Sequence, residues 1–273
     1  MRPAITSAEG GLGLEGDHRL ANVGSVDIGA SASVGRGGVA NQHRSILPPG
    51  LSYSPMSSEA FLAELDAENA AALDRIAHAS SAGEPGAELT VAKLLVMALK
   101  NELEATECAA AWLHSTPEVP VKLALARQAG DEARHYRLIQ GRLAELGVDT
   151  AKLDPLAAGR SSLHTWLLGL EGTVARVAAG QFTREALAQV RNAEFIRFCR
   201  ATGDEATAKL YEDTIQPDEK HHHDLGRRLL ADLATTKEAQ TAARDASRTV
   251  LAMAEELQEI ARLKLGISRA PGC

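Results

Sequence analysis

Two short runs, Asp131-Glu132-Ala133-Arg134-His135 and Asp218-Glu219-Lys220-His221-His222, read almost alike and lie 87 residues apart. Each holds Glu-x-x-His inside a helical pattern of apolar residues. Positions i and i+3 share one face of a helix, so each run aims a carboxylate and an imidazole at the same point. One such pair is a common accident on solvated helix faces. Two pairs, joined by an inward glutamate from each of two further helices, would bring four carboxylates and two imidazoles together between four helices. That is the donor set of a two-metal centre.

A helical wheel at about 100° per residue finds the two extra glutamates. In the segment 91–113, Val91, Leu95, Ala98, Ala105, Ala109 and Leu113 all fall within roughly 60° of Glu102, which puts Glu102 in the middle of the apolar stripe. Glu107 instead shares the polar side with Lys93 and Lys100. In the next helix Glu132 is centred among Val121, Leu125, Ile139, Leu143 and Leu146, with His135 close by. In the third, Glu185 is centred among Val174, Ala178, Ala188, Ile196 and Cys199, whereas Glu194 lies with Arg176, Thr183 and Arg197. In the fourth, Glu219 is centred among Ala208, Ile215, Leu230 and Leu233, with His222 alongside. Glu102 precedes Glu132 by 30 residues and Glu185 precedes Glu219 by 34, each about one helix down, a turn and one helix back.

The weight of this pattern is energetic. A lone carboxylate taken into an apolar core costs several kcal/mol unless it is paired, protonated or metal-bound. Four of them, each centred on the core stripe of a different helix, need a common compensation. Two divalent cations would balance four negative charges. Carboxylate oxygens with two imidazoles and no thiolate suit iron or manganese and argue against a structural zinc site. The site residues read from the sequence are therefore Glu102, Glu132, His135, Glu185, Glu219 and His222, with two iron ions expected, manganese or a mixed Mn/Fe pair being the alternatives. His223 competes with His222, because i+4 is also helical spacing.

The rest of the chain bounds the answer. Its 273 residues suffice for one helical domain with extra helices, and aromatics at 3% leave helices to pack closely through small residues. A net charge of −7 gives no general support to a nucleic-acid surface. Cys108, Cys199 and Cys273 show neither metal-binding nor disulfide spacing, and the first two read as small buried apolar side chains. No run approaches the ~18 apolar residues of a membrane span. The start, Met1-Arg2-Pro3-Ala4, lacks the apolar region of a secretory signal, so a cytoplasmic protein is expected.

Residues 1–55 are rich in Gly, Ser and Ala, lack a sustained apolar period and end near Pro48-Pro49-Gly50, which predicts disorder. Met56, followed by Ser57 or Ser58 as a helix cap, is an alternative start. From 56 to 273 the pattern predicts an all-α bundle, with helices near 58–80, 89–114, 119–147, 162–201, 204–235 and 237–265 and a metal-binding core over 89–235. The first and last helices carry no ligand and are expected outside the bundle. The link 148–161 suits a crossover. Pro217 and Gly130 precede the two Glu-x-x-His runs and can each loosen the helix locally.

At these residues the chain resembles the ferritin-like di-iron carboxylate superfamily, over about 89–235. The run from Asp131 to Ile139, the following Arg142-Leu143-Ala144-Glu145-Leu146-Gly147, and Gly203-Asp204-Glu205-Ala206 ahead of Asp218 look most like a bacterial ferritin-like family of unassigned function. The resemblance implies a ferritin-like four-helix bundle with additional flanking helices. It implies the same six ligands that the wheel selects. It also implies one of several chemistries: iron oxidation and storage, oxidation of an organic substrate by O2, or peroxide disproportionation. Without the Cys-x-x-Cys pairs of a rubredoxin domain the chain departs from a rubrerythrin. Its length and extra helices depart from a shell-forming ferritin subunit.

The expectation is therefore a di-iron oxidoreductase, an O2-dependent oxidase or oxygenase acting on a small organic substrate. A ferroxidase or iron-handling protein is the rival, and a non-catalytic helical module with a structural or vestigial site the third reading. O2, a small-molecule substrate, an electron-donor protein and a second copy of the chain are the expected partners; nucleic acid and membrane are not. Tyr211 is the candidate catalytic phenol, although an ordinary core tyrosine fits the same pattern, and Tyr136 shares that ambiguity. Asp131 and Asp218 could hold the imidazoles across the bundle. His18, His43, His78 and His164 have no metal-spaced partners and read as surface residues.

Overall fold

The computed structural model describes residues 56–81, 89–265 and 270–272. The chain divides into two units, 1–51 and 52–273, and the described residues all belong to the second. The expectation of disorder over 1–55 and most of the gap predicted between the helices at 58–80 and 89–114 therefore lie outside the described residues, as do His18, His43 and Cys273.

Among the described residues the chain is helical throughout, with turns between helices and no strand. We number the helices α1 (Ser58–Ser81), α2 (Val91–Ser115), α3 (Val119–Glu145), the short α4 (Ser162–Leu168), α5 (173–201), α6 (205–233) and α7 (Lys237–Leu265). The starts follow from capping chemistry. Thr90 accepts a hydrogen bond from Lys93 N at 3.2 Å, Pro120 sits in the first turn of α3, and Asp204 accepts from Thr207 N at 2.9 Å. Gly147, where the predicted helix 119–147 ends, and Gly203, in the gap between the helices predicted to 201 and from 204, both have φ near +80°, a conformation glycine adopts without strain.

One predicted helix, 162–201, is two. Gly169-Leu170-Glu171-Gly172 interrupts it, with Gly172 at φ +79°. Both longer ligand-bearing helices of the second half also contain a wide, π-helical stretch, over Val177–Arg184 in α5 and Tyr211–Ile215 in α6. In α6 the cause is legible. Pro217 has no N–H to give the carbonyl four residues back, and the ladder widens just before it, with Gln216 N bonded to Tyr211 O. Gly130, by contrast, leaves α3 unbroken.

Along the four ligand-bearing helices the core has two apolar ends with a polar layer between them. One end gathers Phe61, Leu62, Leu65, Trp112, Leu125, Phe182, Leu230 and Val250. The other gathers Leu94, Leu95, Leu99, Ile139, Leu143, Phe195, Tyr211 and Ile215. Each of α2, α3, α5 and α6 contributes to both ends and carries its predicted glutamate in the stretch between. The order of contributions gives the helix directions. α2 and α6 run from the second end to the first; α3 and α5 run from the first to the second. Two successive helices pointing the same way need a connection that returns the chain along the bundle. The segment 146–172, with its 3₁₀ turn Thr150–Lys152 and α4, is that connection.

Two glycines let helices touch. A Cβ on Gly226 of α6 would come within 2.7–2.9 Å of the backbone of Gln181 and Phe182 in α5, and one on Gly180 would meet Trp112 at 2.7 Å. α1 and α7 pack on the first apolar end and also form a smaller apolar cluster of their own with Leu187 of α5, through Ala72, Ile76, Leu251 and Ala254; they carry no residue of the Glu/His groups, as expected. They also make a polar contact through α5: Asn69 donates to Thr183 Oγ1 at 3.1 Å and Thr183 donates to Ser247 Oγ at 2.8 Å. Thr183 is thus buried, not on the polar side where the uniform wheel put it. All eight residues of the wide stretch are buried, because α5 is covered there by α6 and α7.

Candidate metal centre

All six predicted residues meet in the polar layer. Glu102 is 3% exposed, Glu132, Glu219 and His222 are 1%, and His135 and Glu185 are 0%. They form two overlapping groups. Glu102, Glu132, His135 and Glu219 each present an atom within 4.8 Å of the others; so do Glu132, Glu185, Glu219 and His222. Glu132 and Glu219 belong to both groups. Glu107 and Glu194 lie outside, as the wheel expects, paired with Arg160 and Arg197.

The imidazoles are oriented by crossed partners. His135 Nε2 lies 3.0 Å from Asp218 Oδ2, and His222 Nε2 lies 3.1 Å from Asp131 Oδ2. Each aspartate therefore serves the histidine of the opposite helix. A carboxylate at Nε2 holds the proton there and turns Nδ1 inward. Nδ1 of His135 faces Glu132 at 3.2 Å, Glu102 at 3.4 Å and Glu219 at 3.7 Å; Nδ1 of His222 faces Glu132 at 3.6 Å, Glu219 at 3.7 Å and Glu185 at 3.9 Å. Asp131 and Asp218 are themselves paired, with Arg127 and Arg134.

Gln128, one turn before Glu132 on the same face, was not singled out in the sequence. Its Nε2 donates to Glu185 Oε1 at 2.5 Å. The i−4 spacing from Glu132 is the signal that could have found it. Tyr211 is fully buried in the apolar end beside Glu102 and Glu219. It packs edge-on against Phe195 at 4.8 Å, and its hydroxyl has no hydrogen-bond partner. Burial first, then the nearby glutamates, push the phenol well above its ordinary pKa. Tyr136 is half-buried at the rim of the same apolar end.

One expectation fails for the histidines, and one open alternative closes. His164 is not on the surface. It is 2% exposed, 3.4 Å from Glu107 Oε2, and burial pulls its pKa down. The glycine break before α5 puts it on a separate short helix whose face the longer wheel could not assign. Glu104, also buried, accepts from Ser161 N at 2.7 Å and Ser161 Oγ at 2.6 Å and so anchors the start of α4. His223 is no ligand competitor: its Nδ1 donates to the Phe182 carbonyl at 2.7 Å and its ring stacks on Phe182. His78 is exposed, and Cys108 and Cys199 are buried, as expected.

The cluster's electrostatics call for positive charge. Burial raises Glu102 to about 7, despite its hydrogen bond to His135. Burial also drives Glu219 far up, reinforced by Glu132 and Glu185. Glu132 goes the other way, to about 2: burial alone would raise it, but the His135 hydrogen bond and the charges of His135 and His222 together outweigh that. His135 and His222 rise to about 12 and about 9, because the carboxylates around them overcome the burial that would lower them. Glu185 Oε2, Glu219 Oε2 and His222 Nδ1 are buried without hydrogen-bond partners. Buried polar atoms are nearly always satisfied, so three orphans in one cluster fit a site for metal ions. Comparison with known protein families, with curated proteins and with solved structures finds no match for this chain. Among the described residues no helix is long and apolar enough to cross a membrane.

Proposed function

We propose that this protein is a ferritin-like dimetal carboxylate enzyme: an O2-dependent oxidase or oxygenase that holds two iron ions and acts on a small organic substrate. The observation that carries this reading is the pair of overlapping buried groups, sharing Glu132 and Glu219, each completed by an imidazole tied through Nε2 to an aspartate of the opposite helix. The helix directions support it, since α3 and α5 run the same way and are joined by a crossover, as in ferritin-like bundles.

Glu102 and His135 would complete one metal position and Glu185 and His222 the other, with Glu132 and Glu219 shared. The donors are hard oxygens and imidazole nitrogens, which suit iron or manganese. Two iron ions held there would supply the reduction of O2. The chain's own groups orient the site. Asp218 and Asp131 fix the imidazole tautomers. Gln128 holds one oxygen of Glu185 and leaves the other facing the cluster. The apolar end around Tyr211, Phe195 and Ile215 keeps water from that side.

An iron-storage role would need an acidic route for cations. Asp131 and Asp218, 22% and 19% exposed, reach towards solvent, but Arg127 and Arg134 neutralise them. That favours the oxidase reading. Two surface grooves of about 300 and 290 Å³ lie along α1 and α7 and are lined by none of the six residues. Anaerobic Fe(II) titration followed by O2 tests the proposal. About two irons per chain and slow turnover without substrate are expected. Many irons oxidised per chain would point to ferroxidase activity, and no metal uptake at sub-millimolar Fe(II) to a non-catalytic module.

A further inference from the structure

Residues 270–272 return to the bundle and lie between α2 and α5. Asn101 Nδ2 donates to the Pro271 carbonyl at 2.9 Å, and Gly272 N donates to Asn192 Oδ1 at 2.8 Å. Both residues of this peptide are buried. Asn101 adjoins Glu102 in α2. Asn192 is two turns beyond Glu185 in α5, fully buried, and its Nδ2 has no hydrogen-bond partner. A Cβ placed on Gly272 would meet Asn101 Cβ at 3.3 Å and lie 3.6 Å from Glu102 Oε1. The peptide therefore sits against a cluster carboxylate.

The two asparagines offer a donor and an acceptor to one backbone unit, the complement of a secondary amide. The spare Nδ2 of Asn192 is a further donor, buried and unused. An unsatisfied buried donor costs stability, so this one calls for an acceptor. We infer that Asn101 and Asn192 form an amide-binding subsite at the rim of the Glu102 side of the cluster, that the Pro271–Gly272 peptide occupies it as an internal ligand, and that this peptide withdraws before an amide-bearing ligand or a metal ion enters between α2 and α5. The subsite rests on the hydrogen-bond geometry alone. Its effect on metal entry rests in addition on the dimetal reading.

The test uses the full chain with Gly272→Val. At φ +79° a β-branched residue is strained, and its side chain would crowd Asn101 and Glu102, so the segment is expelled without touching α2 or α5. Asn101→Ala, which removes one of the two hydrogen bonds, is the second variant. Metal-free protein is titrated with the blocked peptide acetyl-Ala-Pro-Gly-amide, followed by NMR of the side-chain amides. Separately, the rate of Mn(II) uptake is measured with and without that peptide. Saturable peptide binding to Gly272→Val, and none to the unaltered chain, is expected. Mn(II) uptake should accelerate about fivefold or more in Gly272→Val, the effect of one lost hydrogen bond or greater, with unchanged stoichiometry. Asn101→Ala should accelerate it less, and added peptide should slow it again in Gly272→Val. Failure of Gly272→Val to bind peptide would overturn the subsite. Peptide binding with uptake as slow in both variants as in the unaltered chain would overturn the closing role. If no form takes up metal, the dimetal reading falls, while peptide binding to the metal-free variant still decides the subsite.

Discussion

Asp131 and Asp218 each stand one residue ahead of a cluster glutamate, and a helix turns about 100° in that step. An aspartate so placed cannot reach the point its neighbour reaches. It is aimed at the adjoining helix, where it finds the other imidazole. Such partners typically tune metal affinity roughly 10–100-fold. Asp131→Asn or Asp218→Asn should therefore weaken metal binding by about that factor, measured by competition with a chelator, while leaving the helical circular dichroism intact. Affinity should also fall as pH falls. His135 and His222, raised to about 12 and about 9, carry protons at neutral pH that metal must displace, so the competition eases only as pH rises, first through about 9 where His222 gives up its proton. For the glutamates the readout is thermal. Metal at 100 times Kd adds about 2.7 kcal/mol for one site, so chelation should lower the melting temperature. Glu132→Ala and Glu219→Ala should abolish that metal dependence, and Glu107→Ala and Glu194→Ala should keep it. The opposite pattern would remove the six residues from the site. These residues were legible in the sequence because burying four carboxylates is so costly that only a shared purpose explains their place on apolar stripes. Gln128, Asn192 and the 270–272 peptide were less so: neutral amides on or near a stripe carry no comparable energetic signal.

At the scale of elements, the uniform wheel succeeds where helices are uniform and slips where they widen. It places Glu102 and Glu132 on α2 and α3 without correction. On α5 it still finds Glu185, which begins the regular turns after the wide stretch, but it assigns Thr183, inside that stretch, to the wrong side. Pro217 was a visible cause of irregularity in α6. Nothing in 177–184 announces the same departure in α5, where the surrounding helices bury every position. The close approach of α6 to this stretch depends on Gly226. Its missing Cβ would sit 2.7–2.9 Å from main-chain atoms that cannot rotate away. Gly226→Ala should cost about 1–3 kcal/mol, as overpacking usually does, seen as a lower denaturation midpoint in urea at unchanged m-value. A substitution without effect would mean that α5 and α6 can separate freely.

At the scale of the whole molecule, every cluster residue and both apolar ends lie within 56–265. A chain beginning at Met56 should therefore keep its metal-dependent melting transition and its helical signal; an insoluble or metal-free truncation would show that residues 1–55 contribute to the fold. The helical class, the main breaks, the inward glutamates and the Glu-x-x-His pairs could all be read along the chain. Each of these follows from local periodicity, glycine geometry or the price of burying charge, and none needs a partner helix to be known. Which aspartate holds which histidine, the sharing of Glu132 and Glu219 by both groups, the burial of His164 on a separate α4 and the lie of the 270–272 peptide against Glu102 came from the packing of helices. Those depend on the distances between helices far apart in the chain, and periodicity along one helix carries no information about them.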